Sequence, residues 1–251
     1  MKKYFAFFLT LFIAFVSKAQ DSTITNTIPP PPPIKKWSTL NLNRRSNDHL
    51  MFQIGYDGWS KMPDTAQTGG FPRSFSGYFL FDFPFKTNPH FSIAIGAGLS
   101  SSSMYFKETY IDIAGKTTNT LKFQDVSDTL HFKKYKVMTT FLEAPIELRY
   151  LFNPENSNRS WKIALGVKVG TLLAAGTKGK NLLNSANSSV NNYIQKEKSK
   201  KFFNSTRMVA TARFGYGSFS LFGTYQLNNF IKEGFGPNVR PYSFGLTLSG
   251  L

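Results

Sequence analysis

Glu143, Glu147 and Arg149 stand two to four residues apart, and Lys162 and Lys168 follow beyond a short polar connection. Acids and bases at such spacing can pass protons, ligate a metal, or neutralise one another. The residues between them narrow the choice. From Val137 onward, Met138, Leu142, Ala144, Ile146, Leu148 and Tyr150 share one parity, and the charged residues share the other. After the Asn153–Ser160 connection, Ile163, Leu165, Val167 and Val169 alternate with Lys162, Ala164, Gly166 and Lys168. A side-chain period of two means strands. An apolar row on one face and charges of both signs on the other suit a wall between lipid and a tight polar interior.

Extended along the chain, the polar parity gathers Asp57, Asp82, Glu143, Glu147, Arg149, Lys162, Lys168, Arg207 and Arg213, four acids and five bases. An eight-stranded barrel is only wide enough for its side chains to fill. Isolated charges in such a lumen would be costly, so the sequence predicts a nearly neutral ion-pair network. Glu143 and Glu147 are expected to meet Lys162 and Lys168 across an antiparallel pair. Proton or ion conduction through the network is the alternative. Lumen-facing Gly96, Gly98, Gly166 and Gly170 are expected to relieve crowding.

Catalytic patterns are thin. Asp125, Ser127, Asp128 and His131 crowd one outer loop, where a Ser/His/Asp hydrolase would need them held rigidly. Gly176-Thr-Lys-Gly179-Lys180-Asn181 lacks both the first glycine of a phosphate loop and its magnesium-binding hydroxyl. The chain has no cysteine, which removes disulfides and thiolate chemistry, and no metal-ligand spacing or cofactor motif is visible. The expected working surface is instead a basic patch of Lys178, Lys180, Lys196, Lys198, Lys200 and Lys201, with the single acid Glu197 among them. Lysines there can pair with lipopolysaccharide phosphates. No nucleic-acid motif or patterned aromatic platform accompanies them.

The elements that must position these residues begin with an export signal. Lys2 and Lys3 precede an apolar run from Tyr4 to Val16, and Ser17-Lys18-Ala19 fits a signal-peptidase site. The run is too short for a membrane-spanning helix, the alternative reading. Cleavage would remove three of the 30 Lys and Arg and none of the 14 acids, leaving a charge of about +13. Such an excess favours contact with anionic headgroups. Residues 20–47, with five consecutive prolines at 29–33, read as a disordered periplasmic tail. It serves either as a spacer or as a docking peptide for a periplasmic or secretion-system protein.

Eight strands are expected after it, near residues 49–59, 74–85, 91–106, 137–152, 161–173, 202–216, 219–228 and 241–251. Connections after the odd strands are long, near 60–71, 107–136, 177–201 and 229–240, and the others are short. Short periplasmic turns, long outer loops and an even strand count are the pattern of outer-membrane barrels. Trp59, Tyr105, Tyr150, Phe152, Trp161, Tyr216, Tyr225 and Tyr242 fall at strand ends, where interfacial aromatic girdles belong. A soluble lipocalin-like barrel, the alternative, would bury its apolar rows inward and expose little polar surface.

The segment Phe141-Leu-Glu-Ala-Pro-Ile-Glu-Leu-Arg-Tyr150 resembles the aromatic-Leu-Glu-hydrophobic-Pro-x-x-Leu-Lys/Arg-Tyr strand of PorT-like outer-membrane β-barrel proteins, which are similar to eight-stranded OmpA/OmpX-like barrels. Gly166-Val-Lys-Val-Gly170-x-Leu172-Leu173 and the closing Tyr-Ser-Phe-Gly-Leu-Thr-Leu fit the same family. The resemblance implies an outer-membrane barrel in a functionally diverse family, some of whose members resemble a component of a dedicated secretion pathway. The chain ends in Leu251 where many outer-membrane proteins have an aromatic.

The sequence therefore predicts an all-β protein, an eight-stranded antiparallel transmembrane β-barrel over residues 48–251, behind a signal peptide (1–19) and a Pro-rich tail (20–47). The expected role is non-enzymatic: envelope structure, or an accessory to secretion or assembly. A narrow pore and an envelope-lipid enzyme are the alternatives.

Overall fold

The computed structural model describes residues 49–116 and 118–250; the expected signal peptide and Pro-rich tail lie outside the described residues. Eleven strands follow in order: β1 (Leu50–Ser60), β2 (Arg73–Pro84), β3 (Phe91–Phe106), β4 (Thr109–Ile111), β5 (Phe123–Asp125), β6 (His131–Leu151), β7 (Trp161–Leu183), β8 (Ser189–Lys198), β9 (Thr206–Tyr216), β10 (Phe219–Gln226) and β11 (Arg240–Ser249). Eight of them close a ring in the order β1-β2-β3-β6-β7-β9-β10-β11, all antiparallel, with β11 pairing back onto β1. Closure leaves no edge within the ring, so each strand's backbone is paired on both sides without help from solvent.

Alternation decides which way each side chain points. Phe75, Phe79, Phe81 and Phe83 of β2, Leu142, Ile146 and Leu148 of β6, and Leu165, Val167 and Val169 of β7 face outward and are exposed. The intervening Gln53, Asp57, Glu143, Glu147, Arg149, Lys168 and Arg213 are buried inside. This is an inside-out protein. A continuous apolar belt on a closed ring has hydrocarbon as its natural surround. A lipocalin-like soluble barrel would show the reverse distribution. No helix among the described residues is long and apolar enough to cross a membrane.

Three short connections lie at the end of the barrel that holds the start of β1 and the finish of β11. The tightest, Gly217-Ser218 between β9 and β10, has Gly217 at φ +58°, the left-handed geometry that two-residue hairpins require. Pro145 interrupts the ladder of β6 with β3, whose pairing breaks off between Ile146 and Glu143 because proline has no N–H to donate.

At the opposite end the structure adds strands within the expected long loops. β6 begins at His131 rather than near Val137, and β7 runs on to Leu183 rather than Leu173, so the two rise past the ring as a hairpin. β8 adds a third strand to that hairpin, and β4 pairs with β5 in the second loop. β9 starts at Thr206 rather than Phe202, because Phe202 and Phe203 turn inward instead. They join Met104, Phe106, Ile111, Ile113, Leu121, Phe123, Phe230, Ile231 and Val239 in an apolar cluster that roofs the lumen. Trp59, expected in an outer girdle, belongs to this roof, with its ring 5.0 Å from Phe230 and 5.5 Å from Phe106. Each such side chain removed from water contributes about 1.5–3 kcal/mol, which favours folded loops over mobile ones.

If the outward belt lies in hydrocarbon, Val167→Arg should lower unfolding stability in lipid vesicles by about 2–4 kcal/mol near the midplane. Urea titration of the reconstituted protein measures it. A change within a few tenths of a kcal/mol would place that face outside the bilayer.

Candidate functional site

The buried charges are stacked in levels along the lumen. Nearest the short turns, Glu147 on β6 accepts from Arg213 of β9 at 2.5 Å and from Nε of Arg149 on its own strand at 3.2 Å. Arg149 Nη1 lies 3.6 Å from Asp82 of β2. Lys162, half-buried, lines the same small cavity as Asp82, Arg149 and Arg213. One level further out, the Tyr78 hydroxyl donates to Glu143 at 2.6 Å, and Arg207 Nε lies 2.8 Å from the other carboxylate oxygen. Lys168 reaches across from β7 and donates to Gln53 at 2.7 Å and Tyr78 at 3.2 Å. Its ammonium also sits 4.5 Å from the Tyr78 ring centre.

Glycines make these reaches possible. The register runs Tyr78, Gly98, Glu143, Gly170, Arg207 across β2, β3, β6, β7 and β9, so a glycine stands on each side of Glu143. A Cβ at Gly170 would lie 2.9 Å from Glu143 Cγ, and one at Gly98 would strike the Tyr78 ring. The carboxylate therefore passes over bare backbone to partners two strands away.

Lys168 does not stand directly opposite Glu143 or Glu147 on the neighbouring strand. Register puts Gly170 opposite Glu143 and Gly166 opposite Glu147, while Lys168 faces Pro145. The acids take arginines instead, whose flexible stems and forked donors span the glycine gaps. Asp57 stands apart from the cations and is satisfied by hydroxyls, accepting from Ser102 and from Ser243 at 2.5 Å. Sequence reasoning missed Tyr78, the neutral bridge between Lys168 and Glu143, and Gln53, which links Lys168 to Thr247. Their parity was the available signal, since each alternates with lipid-facing phenylalanines.

Little space remains. Three cavities within the wall hold about 20, 20 and 10 Å³, each enough for about one water. Above the charges, Phe141 begins the apolar roof, and Arg207 lies over its ring at 4.5 Å. Charged floor and aromatic roof thus fill the barrel in sequence.

The loop residues suggestive of hydrolysis do not assemble. The Ser127 amide donates to Asp125 Oδ1 at 2.9 Å, a local turn that holds that carboxyl below its ordinary value. The buried His131 ring instead approaches the Thr129 carbonyl at 3.0 Å and Asn187 Oδ1 at 3.2 Å. Residues 176–181 are strand, paired with β6 on one side and β8 on the other. Of the basic residues, Lys178 and Lys180 lie on β7 and Lys196 and Lys198 on β8, all facing one side of the protruding sheet. Lys200 and Lys201 fall in the turn beyond it, with Lys201 against the Phe202 ring. Among the described residues no three of His, Asp and Glu converge as a metal site.

The family model described as "Outer membrane protein beta-barrel domain" matches residues 39–248. Two solved structures of Ail, the attachment invasion locus protein of Yersinia pestis, are similar at 12% identity over 80% of this chain. One is a complex with the heparin analogue sucrose octasulfate (96% of that chain, TM-score 0.31); the other covers 95% of its chain at a TM-score of 0.30. No curated protein matches the sequence.

Glu147→Gln should remove the carboxylate that Arg213 pairs with and cost about 3–5 kcal/mol of unfolding free energy. Adding Arg213→Gln should recover part of that loss, so that the double variant is more stable than the two single costs predict. Strict additivity in a double-mutant cycle would refute direct coupling.

Proposed function

Since the chain belongs to the outer membrane protein beta-barrel domain family, we propose that it is a sealed, non-enzymatic barrel. It acts through its outer roof, its protruding sheet and its N-terminal segment rather than through its lumen. One observation carries this reading: the lumen is occupied along its length, by Glu147, Arg213, Arg149, Glu143, Arg207 and Lys168 below and by the aromatic roof above. A conducting path needs continuous water, and the cavities beside these side chains hold only about 10–20 Å³ each. Catalysis of envelope-lipid chemistry finds no support in the separated Ser127, Asp125 and His131.

The roof gives the barrel a second use. Four connections from different strands are bound into one apolar unit, so an outer partner would meet a shaped surface rather than loose chain. Such pre-organisation lowers the entropy cost of association. The likeness of the Glu143-Ala-Pro145 strand to PorT-like barrels supports an accessory role in secretion or assembly. Residues 20–47, rich in proline, would be the periplasmic contact in that role.

Planar-bilayer recording of the full chain should show no stepwise conductance. Stepwise currents abolished by Glu147→Gln would sink the sealed-barrel reading and install an ion path in its place. Affinity purification from outer membranes, with and without residues 20–47, tests the accessory role. A defined periplasmic partner lost on truncation is the expected outcome; identical partners from both forms would reduce the segment to a spacer.

A further inference from the structure

Among the described residues, no acid neutralises the cations carried by the outward face just above the lipid belt. Along β6 the outward residues run Tyr150, Leu148, Ile146, Ala144, Leu142, Thr140 and Met138, then turn to Lys136 and Lys134. Register places Lys136 directly opposite Lys178 of β7, and Lys178 directly opposite Lys196 of β8. Lys134 and Lys180 are opposed one step further out, and Lys198 lies one step nearer the membrane. Residues opposed in this way share a face with their Cβ atoms about 5 Å apart, and like charges there destabilise the sheet.

The row continues sideways. On β3, next to Lys136, the Tyr105 ring lies 5.4 Å from the Lys136 ammonium and 5.8 Å from the Arg73 guanidinium, which also donates to its hydroxyl at 3.1 Å. Glu197, the acid nearest in sequence, points to the other face and pairs with Lys116. Among the described residues, none of Arg73, Lys134, Lys136, Lys178, Lys180, Lys196 and Lys198 forms an ion pair.

A row of opposed lysines costs stability on its own, and an anion bound across it offsets that cost. Its position selects that anion. It continues the same outward face that carries Leu142 and Leu148 into hydrocarbon, so a ligand with acyl chains against the belt would bring its headgroup to the lysines. We propose that the wall formed by β3, β6, β7 and β8 is a binding site for the phosphorylated glycolipid of the outer leaflet, lipopolysaccharide. Lys136, Lys178 and Lys196 take its phosphates, and Arg73 with Tyr105 bounds the site on one side. The inference rests on the barrel's place in the outer membrane and is independent of whether the lumen is sealed.

The test uses the full chain in neutral detergent micelles. Bisphosphorylated lipid A, its dephosphorylated form and soluble inorganic polyphosphate are titrated in turn, with the melting temperature and lipid retention as readouts. Phosphorylated lipid A should raise the melting temperature and the dephosphorylated form should not. K136Q/K178Q/K196Q should bind on the order of a hundredfold more weakly, at about fivefold per lysine near an anionic surface. Without any anion the triple variant should melt higher than the parent, because the like-charge row is gone. Equal shifts from both lipids, or full binding by the triple variant, would overturn the site. Protection by polyphosphate as strong as by lipid A would reassign it to soluble polyanions and overturn the lipid.

Discussion

Hydrocarbon offers a backbone no hydrogen-bond partner, and the pairing of β1 with β11 is how this chain meets that constraint. Ten consecutive residue pairs, Met51 with Ser249 through Ser60 with Arg240, join the first strand of the ring to the last. Without that seam two edges would open in lipid. With it, side-chain parity has only two environments to choose between, and every later feature follows from which one a residue enters.

Closure at eight strands creates a second problem. The lumen is narrow, yet the inward parity delivers five cations and four acids into it. Glycine solves the geometry, because the bare backbone at Gly98 and Gly170 lets Glu143 reach Tyr78 and Arg207 together. Neutral polar groups solve the stoichiometry. Gln53 and Tyr78 accept from Lys168, which would otherwise be an ammonium dependent on acids already committed to arginines. The result is a floor in which ion pairs and hydroxyls share the work, with an apolar roof starting directly above it at Phe141.

The roof and the lysine row belong to one construction. Extension of β6 and β7 past the ring supplies both: Tyr135 and Val137 turn inward to the roof, while Lys136 turns outward above the lipid belt. Strand alternation thus continues outside the membrane with a new meaning for each face. Inside, apolar residues replace charges; outside, charges replace apolar residues.

Strand existence, lumen parity and the even ring were legible because a half-buried wall writes itself as period two. Val137–Leu173 announced both faces without any tertiary information. The charged lumen residues, too, could be named from parity, although the neutral Gln53 and Tyr78 beside them were not. Their partners could not, because partnership depends on shear and on which rows hold glycine. Glu147 and Lys168 are compatible in charge, yet Arg213, from a strand some 60 residues later, takes the carboxylate. The roof was equally hidden. Ile111, Ile113, Leu121, Phe123, Phe202, Phe203, Phe230 and Ile231 follow no period, for each meets the others only when three loops converge. Local alternation is a property of one strand and can be read from it, whereas register, closure and convergence belong to the assembled ring alone.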